Sequence, residues 1–134
     1  MAAARKPAGR SSTQLSRTPT SAGLARRFVA ATLHRWGLDA HVEVAVLLVG
    51  ELVTNAIVHT TSTTIGLVVR LGDQVVRVEV HDTGPQLPQP DRLAAWDDQG
   101  GRGLRLVAML ATRWGVDAAR RGVGKAVWFE VPTG

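Results

Sequence analysis

The sequence predicts an α+β fold in which helices cover one face of a largely antiparallel sheet, and three patterns point to it. Apolar residues recur every three and four positions from Val42 to Val58, the period of a helix with a wide buried face. Residues 63–71 are rich in β-branched side chains and residues 75–81 alternate apolar with polar, so they read as two strands. Gly72-Asp73 between them is a tight-hairpin signal. A second hairpin closes the chain: residues 116–120, a Gly122-Val123-Gly124 turn, then residues 125–131, with Pro132 as the stop. Strands joined by short turns pair antiparallel, and helices with one apolar stripe must bury it on the sheet.

The other elements follow in order. Residues 1–18 read as a disordered basic arm, with a short edge strand around residues 14–17 as the one regular element it could hold, and residues 19–134 as the folded domain. After Pro19-Thr20-Ser21, a Ser or Thr cap introduces an amphipathic helix with Leu24, Phe28, Ala31 and Leu33, running to Trp36 and stopped by Gly37. Asp39 caps the central helix. Thr83-Gly84 and prolines 85, 88 and 90 end the second strand and open a long loop over residues 85–100. Loops of that length are usually functional lids or disordered. Gly100-Gly101-Arg102-Gly103 then opens a third helix with Leu104, Val107, Ala108, Ala111 and Trp114 on one side, ended by Gly115.

Composition bounds the function. A chain of 134 residues fits one domain. Glu43 and Glu51 interrupt the longest apolar runs, so no segment is expected to span a membrane and a soluble protein is expected. With no cysteine there is neither a disulfide framework nor a thiolate metal site, in keeping with a cytoplasmic location. The net charge of +5 invites a nucleic-acid reading, but Arg5, Lys6, Arg10, Arg17, Arg26 and Arg27 lie in the first 27 residues without an acid. The rest is close to neutral, so a nucleic-acid partner is not expected, and a disordered tail is a simpler reading of the arm than a binding arm or a transit peptide.

Three clusters carry chemistry. Glu51, Asn55 and His59 fall four residues apart on one helical stripe, among Val44, Leu47 and Leu48. Unpaired there, a carboxylate and a carboxamide would cost several kcal/mol, so a ligand or metal is a strong candidate partner. An Asn oxygen can ligate magnesium, and a Glu one turn away can accept a proton. His59 reads more simply as a helix-end residue. In the second strand Val76, Val78 and Val80 share a face, and the same period turns Asp82 inward. That carboxylate can accept a hydrogen bond from an exocyclic amine such as adenine's, or merely cap a turn. Gly101-Arg102-Gly103 at a helix start can bind an anion, or serve an ordinary flexible loop. No G-x-x-x-x-G-K-[ST] loop, dinucleotide fingerprint or eukaryotic-type kinase motif is present.

In order, ELVTNAIVHT, VEVHDTG, GGRGLRLVAMLATRWGV and GKAVWFEVP resemble the N, G1 and G2 boxes and closing strand of the Bergerat-fold, histidine-kinase-like ATPases. The wording of the boxes is most similar to the RsbW-type anti-sigma-factor serine/threonine kinases of actinobacteria. The resemblance implies a two-layer sandwich, three main helices on one face of a mostly antiparallel sheet, with residues 85–100 as the ATP lid. It implies ATP and Mg²⁺ as cofactors, Asn55 as the magnesium ligand and Glu51 as the catalytic base toward a protein hydroxyl. Asp82 would hold the adenine amine, Gly84 would line the base pocket, and Gly101 and Gly103 would touch phosphate. Arg102 beside them could reach phosphate too. The partners implied are a sigma factor, an anti-anti-sigma antagonist or both, and a homodimer is left open. Thr83 and Ala126 depart from the family, Ala126 standing where relatives often carry a hydroxyl. Two rivals remain: a non-catalytic ATP-binding switch, and a nucleic-acid binder using the basic arm.

Overall fold

The computed structural model describes residues 9–59, 62–82, 107, 109–118 and 124–133. Among these residues five strands form one sheet in the order β1-β2-β3-β5-β4, every neighbouring pair antiparallel. They are β1 (Gly9–Ser16), β2 (Thr64–Gly72), β3 (Val75–Asp82), β4 (Arg113–Ala118) and β5 (Lys125–Pro132). Helices α1 (Ser21–Arg35) and α2 (Val42–His59) precede β2, and α1 packs on β1 and β2 while α2 packs on β3 and β5. This is the α+β sandwich expected. Of the third helix, Val107, Met109 and Leu110 are helical; the loop expected at residues 85–100 lies outside the described residues.

The core lies between the layers. From α1 it takes Ala22, Ala25, Val29 and Leu33, from α2 Ala45, Leu48, Val49, Leu52 and Val53, and from the sheet Ile65, Leu67, Val69, Val76, Val78 and Phe129. The expected α1 face was therefore rotated: Leu24 is 42% exposed, while Ala25 and Val29 are fully buried. Gly37 ends the helix with φ +73°, a left-handed turn that glycine adopts without steric cost. Asp39 opens a short 3-10 turn, Asp39–His41, and its carboxylate pairs with His34 Nδ1 at 2.7 Å.

The segment 39–58 is long and apolar enough, by length and composition, to cross a membrane, contrary to the expectation that no segment would be. Its apolar stripe instead packs on the sheet as a core helix does.

Two further corrections concern strands. The arm, expected to be disordered but for a short edge strand around residues 14–17, holds a longer edge strand, β1 from Gly9, pairing with β2 along its length. Its hydropathy concealed it, because an edge strand can be held by backbone hydrogen bonds and here buries one large side chain, Leu15. The third helix was expected to run to Gly115, but its last backbone bond joins Ala111 N–H to Val107 O at 2.9 Å, and Arg113–Ala118 is strand β4. Gly115 is a strand glycine: a Cβ there would lie 2.8 Å from Cζ2 of Trp128 on the neighbouring β5. The first hairpin turns one residue later than expected, on Asp73-Gln74, with Gln74 at φ 62°.

A second glycine gives a stability test. In α2, a Cβ on Gly50 would lie 2.5 Å from Nε of Arg26 on α1. That guanidinium ends a flexible, exposed side chain and can swing into water. Gly50→Ala is therefore expected to be neutral or to stabilise by up to about 1 kcal/mol through helix propensity, read by thermal unfolding.

The face of the sheet away from the helices is built from charge. Arg77, Glu79 and His81 point there, as alternation predicts, yet Glu79 is 6% exposed. It accepts hydrogen bonds from Arg70 Nε at 3.1 Å and Arg77 Nε at 2.9 Å, and its other oxygen pairs with His81 Nε2 at 2.8 Å. Arg77 also stacks 3.8 Å from the Trp128 ring centre. Burial raises the Glu79 pKa, but hydrogen bonds from His81 and Arg70, with their charges, outweigh it and bring the carboxyl below its ordinary value. A carboxyl depressed in the folded state contributes stability above its unfolded pKa and loses it as pH falls through the folded one. Stability is expected to drop with acid below the ordinary glutamate range. Glu79→Gln should flatten that drop and cost about 1–2 kcal/mol at neutral pH, measured by urea unfolding at several pH values.

Candidate functional site

Connectivity gathers the predicted residues at one end of the sandwich. α2 ends at His59, and β2 begins at Thr64, so the C-terminal turns of α2 sit by the start of β2. Ile65 near that start pairs with Asp82 at the end of β3, and Asp82 pairs with Lys125 at the start of β5. With α2 lying on β3 and β5, Asn55 and Asp82 belong to the same end of the interlayer space.

Asn55 is 5% exposed, and among the described residues its side-chain nitrogen has no hydrogen-bond partner. A buried donor without a partner costs about 1–3 kcal/mol, so this amide suits a site that receives a polar ligand. Glu51, one turn earlier, is half-buried, at the border of the core rather than inside it. Thr54 bonds back to Gly50 O at 2.8 Å and takes no part in the stripe. His59 is the last residue of α2, the helix-end position expected of it.

Asp82 is 6% exposed on the helix-facing side of β3, in line with Val76, Val78 and Val80. Its Oδ2 accepts a hydrogen bond from Lys125 Nζ, with both side chains almost fully buried. Lys125 was missed in the sequence, although Val127, Phe129 and Val131 set the same alternation that turned Asp82 inward. Gly84, Gly101, Arg102 and Gly103 lie outside the described residues.

Arg17 was likewise counted only as part of a charged arm. Its Nε donates to Ser62 O at 2.7 Å and its Nη1 to Ile57 O at 3.3 Å, tying the segment after β1 to the end of α2 and the connector beyond it. A cation on the last helical carbonyls also complements the helix dipole. On the charged face of the sheet a groove of about 770 Å³ runs past Gln14, Gly66, His81 and Ala126 and reaches Asp82 and Lys125 at one end. Asn55 lies across the sheet from it.

A buried acid closing a strand and a buried carboxamide on a covering helix thus lie at one end of a two-layer α+β sandwich. Residues 15–131 match the family described as histidine kinase-like ATPase domain, and the chain belongs to that family. The family's description points to ATP as the nucleotide. Among solved structures it is similar to the RsbU and RsbW domains of Rv1364c from Mycobacterium tuberculosis, with TM-score 0.70 and 22% identity. That match covers 96% of this chain and 33% of the other, so the chain spans a third of that neighbour's length and shares its fold. No curated protein matches the chain in sequence.

Proposed function

We propose that this domain is an ATP- and magnesium-dependent regulatory protein kinase of the anti-sigma-factor type. It would bind a sigma factor or similar partner and transfer the γ-phosphoryl group to a serine or threonine of an antagonist protein. The observation that carries the reading is the buried Asn55, whose side-chain nitrogen lacks a hydrogen-bond partner among the described residues, at the same end of the layers as Asp82. A carboxamide supplies both an oxygen for a hard cation and an N–H for a phosphate oxygen, so it can serve a magnesium nucleotide through either group. Magnesium, when bound, neutralises charge on the phosphates.

The chain's own groups divide the remaining work. Asp82 accepts from the adenine amine and fixes the base, Asn55 holds the phosphate end, and Glu51 takes the proton of the attacking hydroxyl. Gly84 lines the base, while Gly101, Arg102 and Gly103 contact phosphate. The half-buried position of Glu51 supports the base role, since a base must be reached by a protein substrate.

Incubation with γ-labelled ATP, magnesium and a cognate antagonist protein tests the reading. Label on an antagonist serine or threonine is expected. ATP binding without transfer to any cognate partner would overturn the kinase assignment and leave a nucleotide-ordered switch. The engagement of Arg17 at the end of α2 speaks against the nucleic-acid reading of the arm.

A further inference from the structure

Base recognition in this domain rests, on the reading above, on one carboxylate, and that carboxylate does not stand by itself. Asp82 and Lys125 are direct cross-strand partners on β3 and β5, and their side chains meet within the layer at 4% and 5% exposure. A lysine is rarely so buried unless paired, and removing one member of a buried pair is far more disruptive than the pair is stabilising. Lys125 donates to Oδ2, so the ammonium is one of the groups that fix the orientation of this carboxylate.

We propose that Lys125 is a positioning residue for purine selectivity: it holds the Asp82 carboxylate in the orientation that accepts the exocyclic amine of adenine. Lys125 follows directly on Gly124, whose φ of 84° sets the entry into β5 and so the register that brings the two side chains together. Ala126, the next residue, has no hydroxyl to share the task, and its side chain faces the opposite side of the sheet with His81. The positioning of Asp82 is thus assigned to an ion pair and not to residue 126.

The test compares the affinity of the whole chain for ATP with that for purine riboside 5′-triphosphate, which lacks the amine. Wild type is expected to prefer ATP by about tenfold or more, the worth of a hydrogen bond to a charged group. In Lys125→Met the preference should collapse toward that of Asp82→Ala, with the affinity for the analogue little changed, and Lys125→Arg should restore most of it. Should Lys125→Met fail to fold, Lys125→Gln keeps a donor without the charge and is expected to give an intermediate preference. A parallel loss of both affinities with the ratio intact would show a purely structural lysine and overturn the proposal. A rise in ATP affinity in Lys125→Met would overturn it too, by showing that the ammonium competes with the base. A wild type that binds both nucleotides equally would instead sink the Asp82 reading on which the proposal stands.

Discussion

Glu51→Gln is expected to leave ATP affinity within about twofold and to lower phosphoryl transfer by a factor of about a hundred to ten thousand, the usual contribution of a positioned general base. The substitution is nearly isosteric. It keeps the helix and the packing of Leu48 and Leu52 beside it, both buried, while removing the ability to take a proton. Asn55 is untouched one turn away, so the magnesium nucleotide should still bind. The measurement is single-turnover transfer to the antagonist at saturating ATP, paired with a nucleotide titration. Transfer at the wild-type rate would remove Glu51 as the base and turn attention to a group supplied by the substrate or by residues outside the described set.

Asp82→Ala is the second large effect, and it falls on binding rather than on transfer. Loss of a hydrogen bond to a charged acceptor should weaken ATP by about tenfold to a hundredfold. The substitution also strips Lys125 of its buried partner, at a cost to stability of about 3 kcal/mol, so affinities belong well below the unfolding temperature of the variant. ATP titration curves that superimpose on wild type would take Asp82 out of the base pocket. Taken together the two substitutions separate recognition from chemistry, since one removes a contact to the base and the other a proton acceptor.

How far the site could be read from sequence depended on where its residues sat relative to a period. Asn55 and Glu51 declared themselves because polar groups interrupted a helical apolar stripe, and Asp82 because a strand alternation carried it inward. Lys125 obeys the same alternation from the other strand of the pair. It was passed over because a lysine next to a glycine turn reads as solvated surface until the register with β3 is known. Pairing between strands distant in sequence is what hydropathy leaves unspecified.

The fold shows the same division. The core helices, the hairpin β2–β3 and the start of β5 follow from periodicity and turn residues. β1 does not, since GRSSTQLS owes its place to backbone pairing with β2 rather than to an apolar face. Trp114 and Gly115 misled in the opposite direction, by continuing a helical spacing past the point where Thr112 N–H has already turned to Glu130 O at 2.8 Å. For the basic arm the consequence is practical. Deleting residues 1–18, the natural test of a nucleic-acid arm, would remove an edge strand and the Arg17 tie to α2, so charge reversal at Arg5 and Lys6 is the cleaner comparison.

The central claim is that Asn55 and Asp82 belong to a working nucleotide site. Calorimetric titration of the chain with ATP, with and without magnesium, tests it most directly. Saturable one-to-one binding is expected, strengthened by magnesium in the wild type, with that strengthening lost in Asn55→Ala. Absence of binding at millimolar ATP, or binding indifferent both to magnesium and to Asn55→Ala, would contradict it.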